Sequence, residues 1–204
     1  MIKLYGVPRS RTARAIWMLE ELQIPYENVP VNFIAESRKP EYLKINPNGH
    51  IPALQDGDLT LFESGAIVHY VAERSPVLLP ESQPDRAHVM QWMFAALNTV
   101  EVVVMELAGI DLFYSDARWA AERRPGAVEA VRKRLAELAT RVHEREYLVG
   151  AFSAADILMA TVLKILRHTQ LLEEQPRLVA YKERCEARPA YAKALAGQMS
   201  AFAA

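Results

Sequence analysis

A single cysteine, Cys185, in 204 residues excludes an internal disulfide framework, a four-cysteine zinc site and a CxxC redox pair. No metal ligand set suggests itself elsewhere, and a reducing, cytoplasmic setting is expected. Charge of one sign is also lacking: 24 Lys and Arg stand against 25 Asp and Glu, a formal charge of -1. That balance gives no electrostatic reason to expect a nucleic-acid or anionic-membrane partner. No stretch approaches about 20 uncharged apolar residues, so no membrane span is expected. Nor does a charged and then apolar leader precede Ile2, so no secretory signal is expected. Low-complexity segments and internal repeats are absent too. What is present is 51% hydrophobic and 24% charged residues, the balance of a globular chain with a sizeable core.

The chain changes rhythm near residue 75. Ile2 to Tyr5 reads as a strand stopped by Gly6 and Pro8. Thr12 to Leu22 reads as a helix with Ala15, Ile16, Leu19 and Leu22 on one stripe. Tyr26 to Asn32 reads as an edge strand because it contains Pro30. Ser37 to Lys44 reads as a short helix or turn. Pro52 to Gln55 and Leu59 to Phe62 flank Asp56-Gly57-Asp58, a strong hairpin signal. Ser64 to Glu73 reads as a helix capped by Ser64. The order βαβαββα predicts a mixed sheet, since a βαβ crossover makes a parallel pair and a hairpin an antiparallel one. This is a thioredoxin-like α/β arrangement without its cysteines.

Pro76, Pro80 and Pro84 mark a linker. The expected division is therefore 1–75, a linker over 76–84, and an all-α domain over 85–204. Helices are expected over Arg86 to Leu107, Glu129 to Arg145, Ser153 to His168, Pro176 to Ala187 and Pro189 to Ser200. Gly109 to Arg124 does not read as continuous helix. Ser153-Ala154-Ala155-Asp156 opens the most apolar helix as a capping box, with Phe152 and Ile157 placed as its hydrophobic staple.

Three segments of the first half carry chemistry. Tyr5 to Thr12 leaves a strand and enters a helix, where free backbone N–H groups stabilise an anion. Ser10 adds a hydroxyl there, and Arg11 or Arg14 adds positive potential. In Asn46-Pro47-Asn48-Gly49-His50-Ile51-Pro52, Ile51-Pro52 is a candidate cis peptide. Such a turn leaves the Ile51 backbone open to a peptide-like ligand. Phe62-Glu63-Ser64 puts a carboxylate beside a helix start, suited to an amino acid head group. Alone, each segment is also what an ordinary turn or cap looks like.

Together, and in this order, they resemble the cytosolic glutathione S-transferase superfamily across essentially the whole chain. The markers are Asn46 to Leu54, Phe62 to Ile67, Tyr147 to Gly150 and Phe152 to Ile157. The order Ser10, Arg14, Trp17, Leu19, Glu20 looks most like the serine-type, phi- or theta-like bacterial and fungal members. The resemblance implies glutathione as co-substrate and a hydrophobic electrophile as second substrate. It implies that Ile51, before a cis Pro52, pairs with the cysteinyl part of glutathione. Glu63 and Ser64 hold the γ-glutamyl end, and Arg38 or Lys39 the glycyl carboxylate. His50 stands where many members have Gln or Lys. Ser10 is the implied thiol activator, in Gly6-Val7-Pro8-Arg9-Ser10 with Arg14 four residues later. Tyr5 is its rival, with Arg11 and Thr12 behind it. Met93, Leu97, Met105, Phe113, Tyr114 and Trp119 are the candidates for the electrophile site. A homodimer is implied as well. Peroxide reduction, dehalogenation or isomerisation on the same site, or a non-catalytic ligandin or interaction module, are the alternatives.

Overall fold

A computed structural model describes residues 1–142 and 145–200. The chain forms two compact units, Met1–Leu79 together with the chain from Ala187, and Pro80–Glu186.

The first unit is built on β1 (Ile2–Tyr5), β2 (Tyr26–Val29), β3 (Ala53–Asp56) and β4 (Leu59–Phe62), in spatial order β2-β1-β3-β4. β1 and β2 run parallel, and the pairs β1–β3 and β3–β4 run antiparallel. The expected mixed sheet is what forms. Strand β2 stops at Val29, before Pro30 rather than at Asn32, because proline cannot donate to the ladder. The hairpin turns tightly, with Asp56 paired to Leu59 and Gly57 at φ 60.

Helices α1 (Thr12–Glu21) and α3 (Ser64–Ala72) pack on one face through Leu4, Ile16, Leu19, Ile67, Val68 and Val71, all buried. The short α2 (Pro40–Leu43) covers the other face, where Val31, Tyr42 and Ala53 gather with Tyr5, Ile51 and Phe62. Leu22 is only half-buried, whereas Trp17 and Met18, off the expected stripe, are fully buried. The cause is the last helix, α9 (Pro189–Ser200), which packs on α1 rather than within the second unit. The Trp17 and Tyr191 rings meet at a tilt of 59° with centres 4.7 Å apart, and Arg188 grips Glu21 through two hydrogen bonds of 2.7 and 2.8 Å.

The second unit is helical. A continuous helix over Gln83–Leu112 consists of α4 (Gln83–Phe94), a π-helical stretch Ala95–Val100 and α5 (Glu101–Leu112). By length and composition alone it could cross a membrane, and 44% of its apolar window is buried. Helix α6 (Ala120–Arg141) begins well before the expected Glu129 and runs through Pro125 and Gly126, with the proline inside the helix at the cost of a backbone hydrogen bond. Arg123 bonds Glu106 and Arg124 chelates Asp111, which ties those turns to α5. The expected end of this helix at Arg145 crosses residues 143–144, outside the described residues. Helix α7 (Ala154–Leu163) passes into a 3-10 turn over Lys164–His168, and α8 (Pro176–Glu186) follows.

The capping box on α7 is formed and buried. Asp156 accepts from the Ser153 amide and hydroxyl at 2.9 Å each, from Leu148 N–H at 3.0 Å and from the Tyr181 hydroxyl at 2.8 Å. Burial nevertheless pushes its carboxyl above the ordinary carboxylate range.

Candidate functional site

Strand register gathers the three segments at one end of the first unit's sheet. Tyr5 pairs with Ala53, and Ala53 with Phe62. Because both pairs are antiparallel, Gly6 leaving β1, Pro52 entering β3 and Glu63 leaving β4 emerge at the same edge. Parallel strands expose the same edge at the end of β2.

The turn before β3 is built by Asn46, which is buried. Its amide donates to His50 C=O at 2.6 Å, and its side-chain oxygen accepts from Asn48 N–H at 3.0 Å. The Tyr42 hydroxyl also donates to His50 C=O, at 2.7 Å. Burial pushes that phenol up to about 12, so it is a neutral donor at any working pH. Gly49 takes φ 62, and a Cβ there would stand 2.9 Å from the Ser37 carbonyl. Arg38 donates to Asn48 C=O at 2.9 Å from one guanidinium nitrogen, and its exposed remainder keeps further donors. Lys39 is exposed beside it at the start of α2, and the His50 side chain is exposed. The Ile51-Pro52 bond is cis, as expected. Ile51 lies outside β3, so its backbone groups take no part in the sheet ladder. Asn46 is the residue the sequence reading passed over; its buried position was not visible in an Asn-Pro-Asn-Gly turn.

At the corner after β4, Glu63 takes φ 70 and ψ 116, and its side chain is exposed. A non-glycine residue held there is strained by about 1–3 kcal/mol, a cost typical of functional positions. Ser64 is not the cap that the sequence suggested. It is the first residue of α3, and its buried hydroxyl lies 3.1 Å from Arg14 Nη1, which donates to it. Arg14 is buried too, so a guanidinium stands directly behind the Glu63-Ser64 corner.

At the start of α1, Ser10 is half-buried. Its hydroxyl donates to Val7 C=O at 2.6 Å and accepts from Thr12 N–H at 3.1 Å. Arg11 is exposed at the cap position. Tyr5 is engaged elsewhere: its hydroxyl donates to Gln55 Oε1 at 2.6 Å, and its ring packs near Tyr42 on the α2 face.

In the second unit, Tyr114 and Trp119 come together with ring centres 5.5 Å apart, on the loop between α5 and α6, and Arg123 lies over Trp119. Phe113 is exposed on the same loop, and Met105 is half-buried on α5. Met93 is buried core rather than a lining residue, and Leu97 falls in the π-helical stretch. Among the described residues, no three His, Cys, Asp or Glu side chains group as metal ligands.

The arrangement is one that known proteins share. The family model "Glutathione S-transferase, N-terminal domain" matches residues 1–73, and "Glutathione S-transferase, C-terminal domain" matches residues 112–189. Glutathione S-transferase 1 of Zea mays is 35% identical, with 96% of each chain covered. A glutathione S-transferase of Hyoscyamus muticus is 32% identical, covering 95% of this chain and 97% of that one. The crystal structure of glutathione transferase F7 from Populus trichocarpa superposes with a TM-score of 0.86 at 30% identity, over 97% of this chain and 99% of the other. With both of its domains matched and relatives alike over nearly their full length, the chain belongs to the glutathione S-transferase family.

Proposed function

We propose that the protein binds glutathione at the sheet end described above and holds its thiol as thiolate for attack on a hydrophobic electrophile. The observation that carries this reading is the Glu63-Ser64 corner: a strained glutamate offers its carboxylate beside a serine hydroxyl backed by a buried arginine. That set complements an amino acid head group, ammonium on Glu63 and carboxylate on Ser64. The backbone of Ile51 takes the cysteinyl part by strand-like pairing, before Pro52. Arg38, with Lys39 beside it, meets the glycyl carboxylate, and His50 flanks the same end. Solved relatives carry related ligands: a glutathione S-transferase-I was crystallised with lactoylglutathione, and a family member from Pseudomonas fluorescens with two glutathiones.

Ser10 is the thiol's donor in this reading, which makes the protein a serine-type transferase. A thiol titrating near about 8.5 must drop by roughly two units to be ionised at neutral pH, worth about 2.7 kcal/mol. A helix N-terminus and one hydroxyl donor to an anion together supply that order of energy. The Tyr5 hydroxyl reaches back along the sheet to Gln55, which pairs with Lys3, whereas Ser10 stands at the strand ends; that placement argues against the rival. Arg11 contributes potential rather than a directed proton. The helical domain, expected over 85–204, supplies the electrophile site through Met105, Phe113, Tyr114 and Trp119, adaptable apolar groups suited to varied ligands. A cytoplasmic, homodimeric enzyme of detoxification is the matching physiological picture; the single buried cysteine is in keeping with a reducing compartment.

Steady-state conjugation of glutathione with chlorodinitrobenzene tests the assignment. Ser10→Ala lowers kcat by about 10-fold, the rate equivalent of the about 1.4 kcal/mol that the hydroxyl supplies beside the helix N-terminus, with KM for glutathione within about threefold. A comparable loss in Tyr5→Phe, with Ser10→Ala unaffected, moves the donor role to Tyr5.

A further inference from the structure

Gly6, Ser10 and Thr12 form a closed set where β1 hands over to α1. Thr12 is fully buried, and its hydroxyl lies 2.8 Å from Ser10 Oγ. Gly6 takes φ +144, and a Cβ on it would stand 2.2 Å from that same Thr12 hydroxyl. The glycine therefore does more than turn the chain; it makes room for this oxygen. A serine hydroxyl has one proton and two lone pairs. The Val7 carbonyl, 2.6 Å away, only accepts, so the Ser10 proton points to it. The contact at 2.8 Å then requires Thr12 O–H to donate to Ser10 Oγ. Thr12 N–H donates to the same oxygen at 3.1 Å. Thr12 thus fills both acceptor positions of Ser10, and toward any third group Ser10 can only donate.

Resting on the reading of Ser10 as the thiol's donor, we propose that Thr12 is a positioning residue for catalysis. Its hydroxyl and amide fix Ser10 Oγ with both acceptor positions filled, so that what Ser10 offers the glutathione sulfur is its proton, shared with Val7 C=O. Donation into Ser10 also polarises its O–H, which strengthens the bond to a thiolate. Thr12 touches no reacting atom in this scheme; it acts through Ser10.

The test follows thiolate absorbance against pH for glutathione bound to the full chain, with calorimetry of S-methylglutathione as a probe blind to the thiol. Thr12→Val is close to isosteric and lacks the hydroxyl. It is expected to raise the bound thiol's pKa by about 0.5–1 unit, the value of one neutral hydrogen bond. Its affinity for S-methylglutathione stays within about twofold of wild type. Thr12→Ser returns the pKa to the wild-type value. In a Ser10→Ala background, Thr12→Val adds no further shift. Should Thr12→Val not fold, Thr12→Ala carries the same comparison. A wild-type pKa in Thr12→Val, no recovery in Thr12→Ser, or an equal shift without Ser10 overturns the inference. The two levels separate cleanly. If Ser10→Ala leaves the pKa unchanged, the Ser10 assignment falls and this inference with it. If Ser10→Ala raises the pKa and Thr12→Val does not, only the role of Thr12 falls.

Discussion

Glu63 shows at the scale of one residue how a binding group is held against its own backbone preference. At φ 70 a glycine would be more comfortable. Glu63→Gly is therefore expected to raise stability by up to about 1 kcal/mol while glutathione affinity falls. Glu63→Gln keeps the shape and removes the charge, and should weaken glutathione binding by about 10–100-fold, the equivalent of a charge-assisted hydrogen bond. Thermal unfolding and calorimetry read the two effects separately; a Glu63→Gly variant that is less stable than wild type contradicts the strain argument. Tyr5→Phe should cost about 1 kcal/mol through the Gln55 bond and leave the thiolate intact. At this scale the sequence was readable where local backbone sets the position: Ser10 lies just before α1, Glu63 between β4 and α3, and the Ile51-Pro52 bond is cis. It was not readable where a role depends on a distant partner. Ser64 read as a cap because serines at helix starts usually cap, and only the fold brings Arg14 to it from 50 residues away. The burial of Asn46 and Thr12 is likewise a consequence of what packs around them.

Among the elements, α7 depends most on a local device. Ser153→Ala should cost about 1 kcal/mol or somewhat more, since this cap is buried. Asp156 adds a pH dependence. Its folded carboxyl titrates above the ordinary value, so above about pH 3.9 the unfolded chain has released a proton that the folded chain still holds. This contribution to stability is therefore greatest at low pH and is lost as pH rises toward the folded value. Urea unfolding of wild type and Asp156→Asn across pH 4 to 8 should show wild type losing ground to the variant as pH rises; a difference independent of pH contradicts the assignment. Element boundaries were legible where local chemistry sets them, as for β1, β4 and α8. They were not legible in α6, where Pro125-Gly126 imitates a break and the Arg123 and Arg124 ion pairs with α5 hold the first turns in place. The placement of α9 against α1 depends on Trp17, Tyr191 and Arg188 meeting across the chain, which no periodicity announces.

For the whole molecule, the order of elements and the family resemblance reached further than any single motif, because βαβαββα fixes which strand ends share an edge. The proposed homodimer has a direct check: light scattering at micromolar concentration should give twice the 23.0 kDa of one chain, and a monomer would remove that part of the account. The central claim is that the sheet end binds glutathione and ionises its thiol through Ser10. An ultraviolet difference titration with glutathione at neutral pH, following thiolate absorbance in wild type and Ser10→Ala, tests it most directly. The account predicts a saturable thiolate signal in wild type that Ser10→Ala weakens at neutral pH and regains about one pH unit higher. A flat wild-type trace, or a signal unchanged by Ser10→Ala, would contradict it.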